Sequence, residues 1–90
     1  MKIVIITNID NHALEMAISL FKKETDTKII LLSDAVYLIY TLDTTKCGDI
    51  YALEEDLDKR IDQRPEWINS INYEDFIDLI MADNVDIINL

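Results

Sequence analysis

The sequence predicts an α/β protein: a three-layer α/β/α sandwich around a mostly parallel sheet of four or five strands. Three observations carry this. Apolar, β-branched runs recur without polar interruption, KIVIIT (2–7), KIILL (28–32) and DIYAL (49–53), as strands covered on both faces read. Helix-like segments with their own capping signals stand between them. The connections are short, with no internal repeat, linker or low-complexity segment, so strand and helix alternate as right-handed β-α-β units. Ninety residues make a single domain, 1–90, with one modest core.

Taken in order, residues 2–7 form the first strand and residues 8–11 a polar turn. A helix over 11–23 follows, with Leu14, Ala17, Ile18 and Phe21 on one stripe, Asn11 as N-cap, Glu15 in the first turns and Lys22 and Lys23 at the C-terminal dipole. Residues 28–32 are the second strand. Ser33 or Asp34 caps a second helix running to about Leu42. Residues 49–53 are the third strand and 54–61 a short helix, in which Glu55–Lys59 and Asp56–Arg60 are spaced i,i+4 for ion pairs. Residues 66–71, after Pro65, read as a fourth strand in which Trp67 packs. Asn72 opens a third helix to about Asp83, with Asp75 completing an approximate capping box. Residues 85–88 form a short last strand.

Composition narrows the function classes. Eighteen acids against eight bases give a net charge of −10, which repels a phosphate backbone or an anionic membrane. Direct binding of nucleic acid or an anionic membrane by this chain alone is therefore not expected. The apolar runs are far shorter than the roughly 18 residues of a spanning helix. MKIVIITN lacks the length and cleavage site of a signal peptide. One cysteine makes no internal disulfide, in keeping with a cytoplasmic protein.

In parallel sheets ligands bind beyond the carboxyl ends of the strands. Those ends are residues 7–12, 33–37, 54–56 and 72–73, and they bring His12, Asp34, Glu54, Asp56 and Tyr73 into one candidate cluster. Each has a plainer role to set beside that one. His12 is a solvated first-turn residue, Asp34 a cap, and the acids from 54 to 56 complement a helix dipole. No G-x-G-x-x-G, P-loop or nucleophile elbow is present, one His and one Cys cannot build a zinc site, and no cofactor is indicated. Cys47 is the one candidate nucleophile. It precedes the third strand and so lies at the amino edge, about 15 Å from the carboxyl edge. Lys46 is its only basic sequence neighbour, Asp43 and Asp49 flank it, and the whole field is acidic, which disfavours a thiolate. Cys47 reads as a bystander.

Helix two, DAVYLIYTL, is apolar almost all round. At 100° per residue Ala35, Val36, Leu38, Ile39 and Leu42 face the sheet, while Tyr37, Tyr40 and Thr41 point outward. Two tyrosines on an uncharged outer face mark a subunit interface, with itself or with a partner.

Three stretches, KIILLSDAVYLI, DIYALEEDLDKR and INYEDFIDLI, in this order and at this length, resemble the DsrH/TusB family of small sulfur-relay proteins, within the DsrE/DsrF/DsrH-like superfamily. The resemblance spans essentially the whole chain. It implies a subunit working beside TusC/DsrF-like and TusD/DsrE-like partners, passing persulfide sulfur toward 2-thiolation of the tRNA wobble uridine or serving dissimilatory sulfur oxidation. Family members that carry a cysteine have it in the first helix, where this chain reads HALEMAISL, with Met16 and Ala17 at the aligned place. Ala35 and Ile61 stand where the family often has Gly. The missing thiol points to a docking rather than a sulfur-carrying subunit. The rivals are a sulfurtransferase carrying a persulfide on Cys47, and a homo-oligomeric binding module of the same fold without relay activity.

Overall fold

The computed structural model describes residues 1–41 and 49–90. It is an α/β structure with a five-stranded, wholly parallel sheet in the order β4-β3-β2-β1-β5. The strands are β1 (Lys2–Ile6), β2 (Thr27–Leu31), β3 (Ile50–Leu53), β4 (Asn69–Ile71) and β5 (Asp86–Asn89). The connections are α1 (Asn11–Lys23), a 3₁₀ helix (Ser33–Tyr40), α2 (Glu54–Arg60) and α3 (Tyr73–Ile80).

The layering follows from chain direction. From β1 to β4 the sheet grows stepwise one way, and right-handed crossovers put those connections on one face. That face presents Val4, Ile6, Ile29, Leu31, Ile50 and Ala52, against which α1, the 3₁₀ helix and α2 bury Leu14, Ala17, Val36, Leu38 and Leu57. The last connection returns across the whole sheet to reach the far side of β1, so α3 lies on the opposite face. There Phe76, Leu79 and Ile80 cover Ile3, Ile5 and Ile30. No residue of α3 is fully buried. One face carries the main core, the other a thinner one.

Several expected features take a different form. The cap of α1 is Asp10, not Asn11: its Oδ1 accepts the His12 and Ala13 amides at 3.0 and 3.1 Å. The second helix is 3₁₀ rather than α, closed by i→i−3 bonds such as Ala35 to Leu32 and Thr41 to Leu38, each 3.1 Å. With three residues per turn, Ala35/Leu38 and Val36/Ile39 form two buried ridges, and Asp34, Tyr37 and Tyr40 the third, outer one. Leu42, assigned to that helix, falls outside the described residues. Strand β4 is only Asn69–Ile71; Trp67 lies in the turn before it and packs half-buried against the core. The reason is local: after Pro65 the Ile68 amide bonds back to the Pro65 carbonyl at 3.3 Å, so the chain turns before it extends. Asn72 caps α3 as expected, accepting the Asp75 amide at 2.7 Å.

Candidate functional site

At the carboxyl end of β2 the chain enters the 3₁₀ helix through Ser33, whose φ of 56° is in the left-handed region. A Cβ makes that conformation costly by about 1–2 kcal/mol. What holds it comes from the neighbouring strand. Asp56, in the first turn of α2 after β3, accepts the Ser33 amide on Oδ2 at 2.7 Å. This replaces the side-chain cap that the sequence assigned to Ser33 or Asp34; the residue at the cap position, Leu32, supplies none. The other oxygen of Asp56 meets Arg60 Nη1 at 3.4 Å, the expected i,i+4 pair. Arg60 Nε in turn donates to Asp34 Oδ1 at 3.0 Å. One guanidinium thus joins two carboxylates from adjacent β-α turns. Both acids are engaged by a cation and one also by a backbone amide. This clasp fixes the shape of the edge and leaves no carboxylate pair poised for proton transfer.

The other predicted edge residues lie elsewhere. Glu54 is the exposed first residue of α2. His12 is on the wall of a groove between α1 and β5. Tyr73 opens α3, where its ring meets Phe76 at 6.3 Å between centroids. The structure therefore brings Asp34 and Asp56 together through Arg60 and leaves His12, Glu54 and Tyr73 apart from them. Of the outer residues of the 3₁₀ helix, Tyr40 is 66% exposed, whereas Tyr37 is half-buried against the main core. Thr41 is exposed, and its hydroxyl donates to the Leu38 carbonyl at 3.0 Å. By threefold periodicity Thr41 lies behind Ala35 and Leu38, not beside the tyrosines. Cys47 lies outside the described residues. Among the described residues no group of three His, Cys, Asp or Glu side chains could hold a metal ion. No helix among them is long and apolar enough to cross a membrane.

Two features were not anticipated from the sequence. On the α3 face, Lys28 Nζ donates to Asp49 Oδ2 at 3.2 Å and to the Tyr51 hydroxyl at 3.1 Å. Partial burial pulls the ammonium pKa down, but the hydrogen bonds to Tyr51 and Asp49 and the Asp49 charge together outweigh it and hold it above the ordinary 10.5. The signal was the alternation of Lys28 with Ile29 and Asp49 with Ile50, which puts the two polar residues at the starts of neighbouring strands. The second feature is the groove itself, of about 520 Å³, floored by Val4, Ile88 and Leu90 and walled by α1. No local sequence signal could give it, because it depends on β5 lying beside β1.

The family described as DsrH like protein matches the chain over residues 8–85. No curated protein and no solved structure matches it.

Proposed function

The chain belongs to the DsrH-like family, and from that premise we propose that it is a docking subunit, without catalysis of its own, in a cytoplasmic sulfur-relay complex that supports 2-thiolation of the tRNA wobble uridine. The family works in sulfur-relay complexes with partner subunits. TusC/DsrF-like and TusD/DsrE-like chains are the partners this reading calls for.

The observation that carries the docking role is the chemistry at the first helix. At the place where thiol-bearing family members have their cysteine, α1 has Met16, exposed on the groove, and Ala17, buried beneath it. A thioether sulfur carries two carbons and has no thiolate to take up a persulfide. The clasp at the carboxyl edge offers no substitute nucleophile. The acidic surface adds that tRNA is met by another subunit, since a chain of net charge −10 gains nothing from counterion release.

Affinity purification from the native cell, followed by labelled-sulfur transfer into tRNA, tests the reading. Loss of the chain should abolish labelling, and Cys47→Ser should leave it nearly unchanged. A Cys47→Ser strain that labels as poorly as a deletion, together with a mass increase of about 32 Da on the wild-type chain after sulfur loading, would instead make Cys47 a persulfide carrier.

A further inference from the structure

The main-core face of the sheet is not covered evenly. Helix α1 lies over β1 and β2, and α2 over β3 and β4. What lies over β5 is the groove, with Ile88 and Leu90 partly open to water on its floor. On the other side of the strand Ile87 is 43% exposed, between the exposed Asp86 and Asn89 that end it. The opposite edge strand, β4, exposes only Asn69 and Ser70 and buries its one apolar residue, Ile71. Edge strands are usually blunted by charge or proline; within β5 only Asp86, its first residue, is charged.

The wall of the groove is a second stripe of α1, distinct from its core stripe. His12, Glu15, Met16, Ser19 and Lys23 recur at i, i+3 and i+4 spacing, all exposed, and Met16 is 49% exposed. The charges on this stripe are ordered. Glu15 lies four residues before Ser19 and Lys23 four residues after it.

We propose that the groove is the docking site for α1 of a second copy of this chain, giving a two-fold dimer in which the two α1 helices run antiparallel and each covers the other's β5. Three features select this occupant. First, antiparallel helices crossing at Ser19 bring Glu15 of each copy to Lys23 of the other, so the charges complement one another twice over. Second, Ser19 is small, which lets the axes approach to the usual 8–10 Å. The groove runs along α1, so a helix of the same 13 residues matches its length. Third, the chain is acidic, with net charge −10, but the groove's own lining holds one acid, Glu15, and one base, Lys23. Acids more than about 8 Å away are screened at physiological salt. Two copies therefore meet here without opposing like charges. An isologous contact of this kind is the commonest way in which identical chains pair. This inference does not depend on the sulfur-relay reading.

Sedimentation equilibrium on the purified full chain, with charge reversals, tests it. The wild type should sediment at twice its 10.5 kDa mass. Glu15→Lys and Lys23→Glu should each raise the dimer dissociation constant about ten-fold or more at low salt, since two attractive pairs become repulsive. The double variant should restore dimerisation. Ser19→Trp, at the crossing point, should abolish the dimer without changing charge. A wild type that stays monomeric up to about 1 mM overturns the proposal, whatever other chain it binds. So does a dimer that ignores the reversals, is not restored by the double variant, or dissociates on Tyr40→Ser.

Discussion

Replacing Asp56 by Ala probes the clasp at the carboxyl edge. The substitution removes the acceptor of the Ser33 amide and one of the two carboxylates on Arg60. A hydrogen bond to a charged acceptor is worth roughly 1.5–3 kcal/mol when one partner is deleted. The lower half of that range applies, because the Asp56 side chain is 19% exposed and water reaches the freed amide in part. The 3.4 Å contact to Arg60 adds about 0.5 kcal/mol at most, since Arg60 keeps Asp34. The sum is a loss of about 2 kcal/mol, out of the roughly 5–15 kcal/mol typical of a folded domain. For a domain of this size that lowers Tm by about 8–16 °C.

Urea unfolding, followed by circular dichroism and by the fluorescence of the single Trp67, measures it. Asp56→Asn keeps an acceptor for Ser33 and loses only the charge, so it should cost about half as much. Ser33→Gly removes the left-handed strain without touching the hydrogen bond. It should raise stability by about 0.5–1 kcal/mol in both the wild-type and Asp56→Ala backgrounds. An Asp56→Ala protein within about 0.5 kcal/mol of wild type would refute the view that Asp56 holds this turn, as would an Asn variant as unstable as the Ala one.

Other expectations follow from the same structure. Lys28→Met keeps the aliphatic packing but strands Asp49, and should cost about 1 kcal/mol in thermal or urea unfolding. Because the folded pKa of Lys28 lies above 10.5, its contribution is fully present below pH 10.5 and fades as pH rises through the folded value. The gap between variant and wild type should accordingly be flat to about pH 10 and close above it; a gap that closes near neutrality would contradict the assignment. Tyr40→Ser, on the exposed ridge of the 3₁₀ helix, should weaken association with co-purifying relay subunits by about 2 kcal/mol in a pull-down titration and leave monomer unfolding unchanged. Fluorescence anisotropy with tRNA at about 0.15 M salt should show no sub-micromolar binding by the isolated chain; such binding would overturn the charge argument.

The strands and α1 were legible because their signals are local. Val4, Ile29 and Ile50 belong to uninterrupted apolar runs, and Leu14 and Ala17 lie on one helical stripe. The 3₁₀ geometry was not legible, since over eight residues buried pairs spaced by three fit either helix type. Asp10 and Asn11 are both good caps, and the choice between them rests on where the chain leaves β1. Trp67 suited a strand, but the turn after Pro65 forestalled it. At the candidate site, the acids near strand ends could be read from topology alone. Their partners could not. Arg60 reaches Asp34 only because β2 and β3 are adjacent, and the groove exists only because β5 crosses to the far side of β1. Alternation of strand and helix leaves strand order open.

That crossing also sets an order in time. β1 and β2 are joined through one helix, and their pairing closes a short loop. The β1–β5 ladder joins the two ends of the chain, with the Asp86 amide bonded to the Met1 carbonyl at 3.0 Å. Loop entropy grows as (3/2)RT ln n, so closing this ladder ahead of the others would cost about 1 kcal/mol more than closing β1–β2, and the cost falls once β4 has joined the sheet. It is repaid by α3, which buries no residue completely. Strand β5 and α3 should then be the last part to assemble and the first to open, with amides that exchange with solvent while β1, β2 and β3 remain protected.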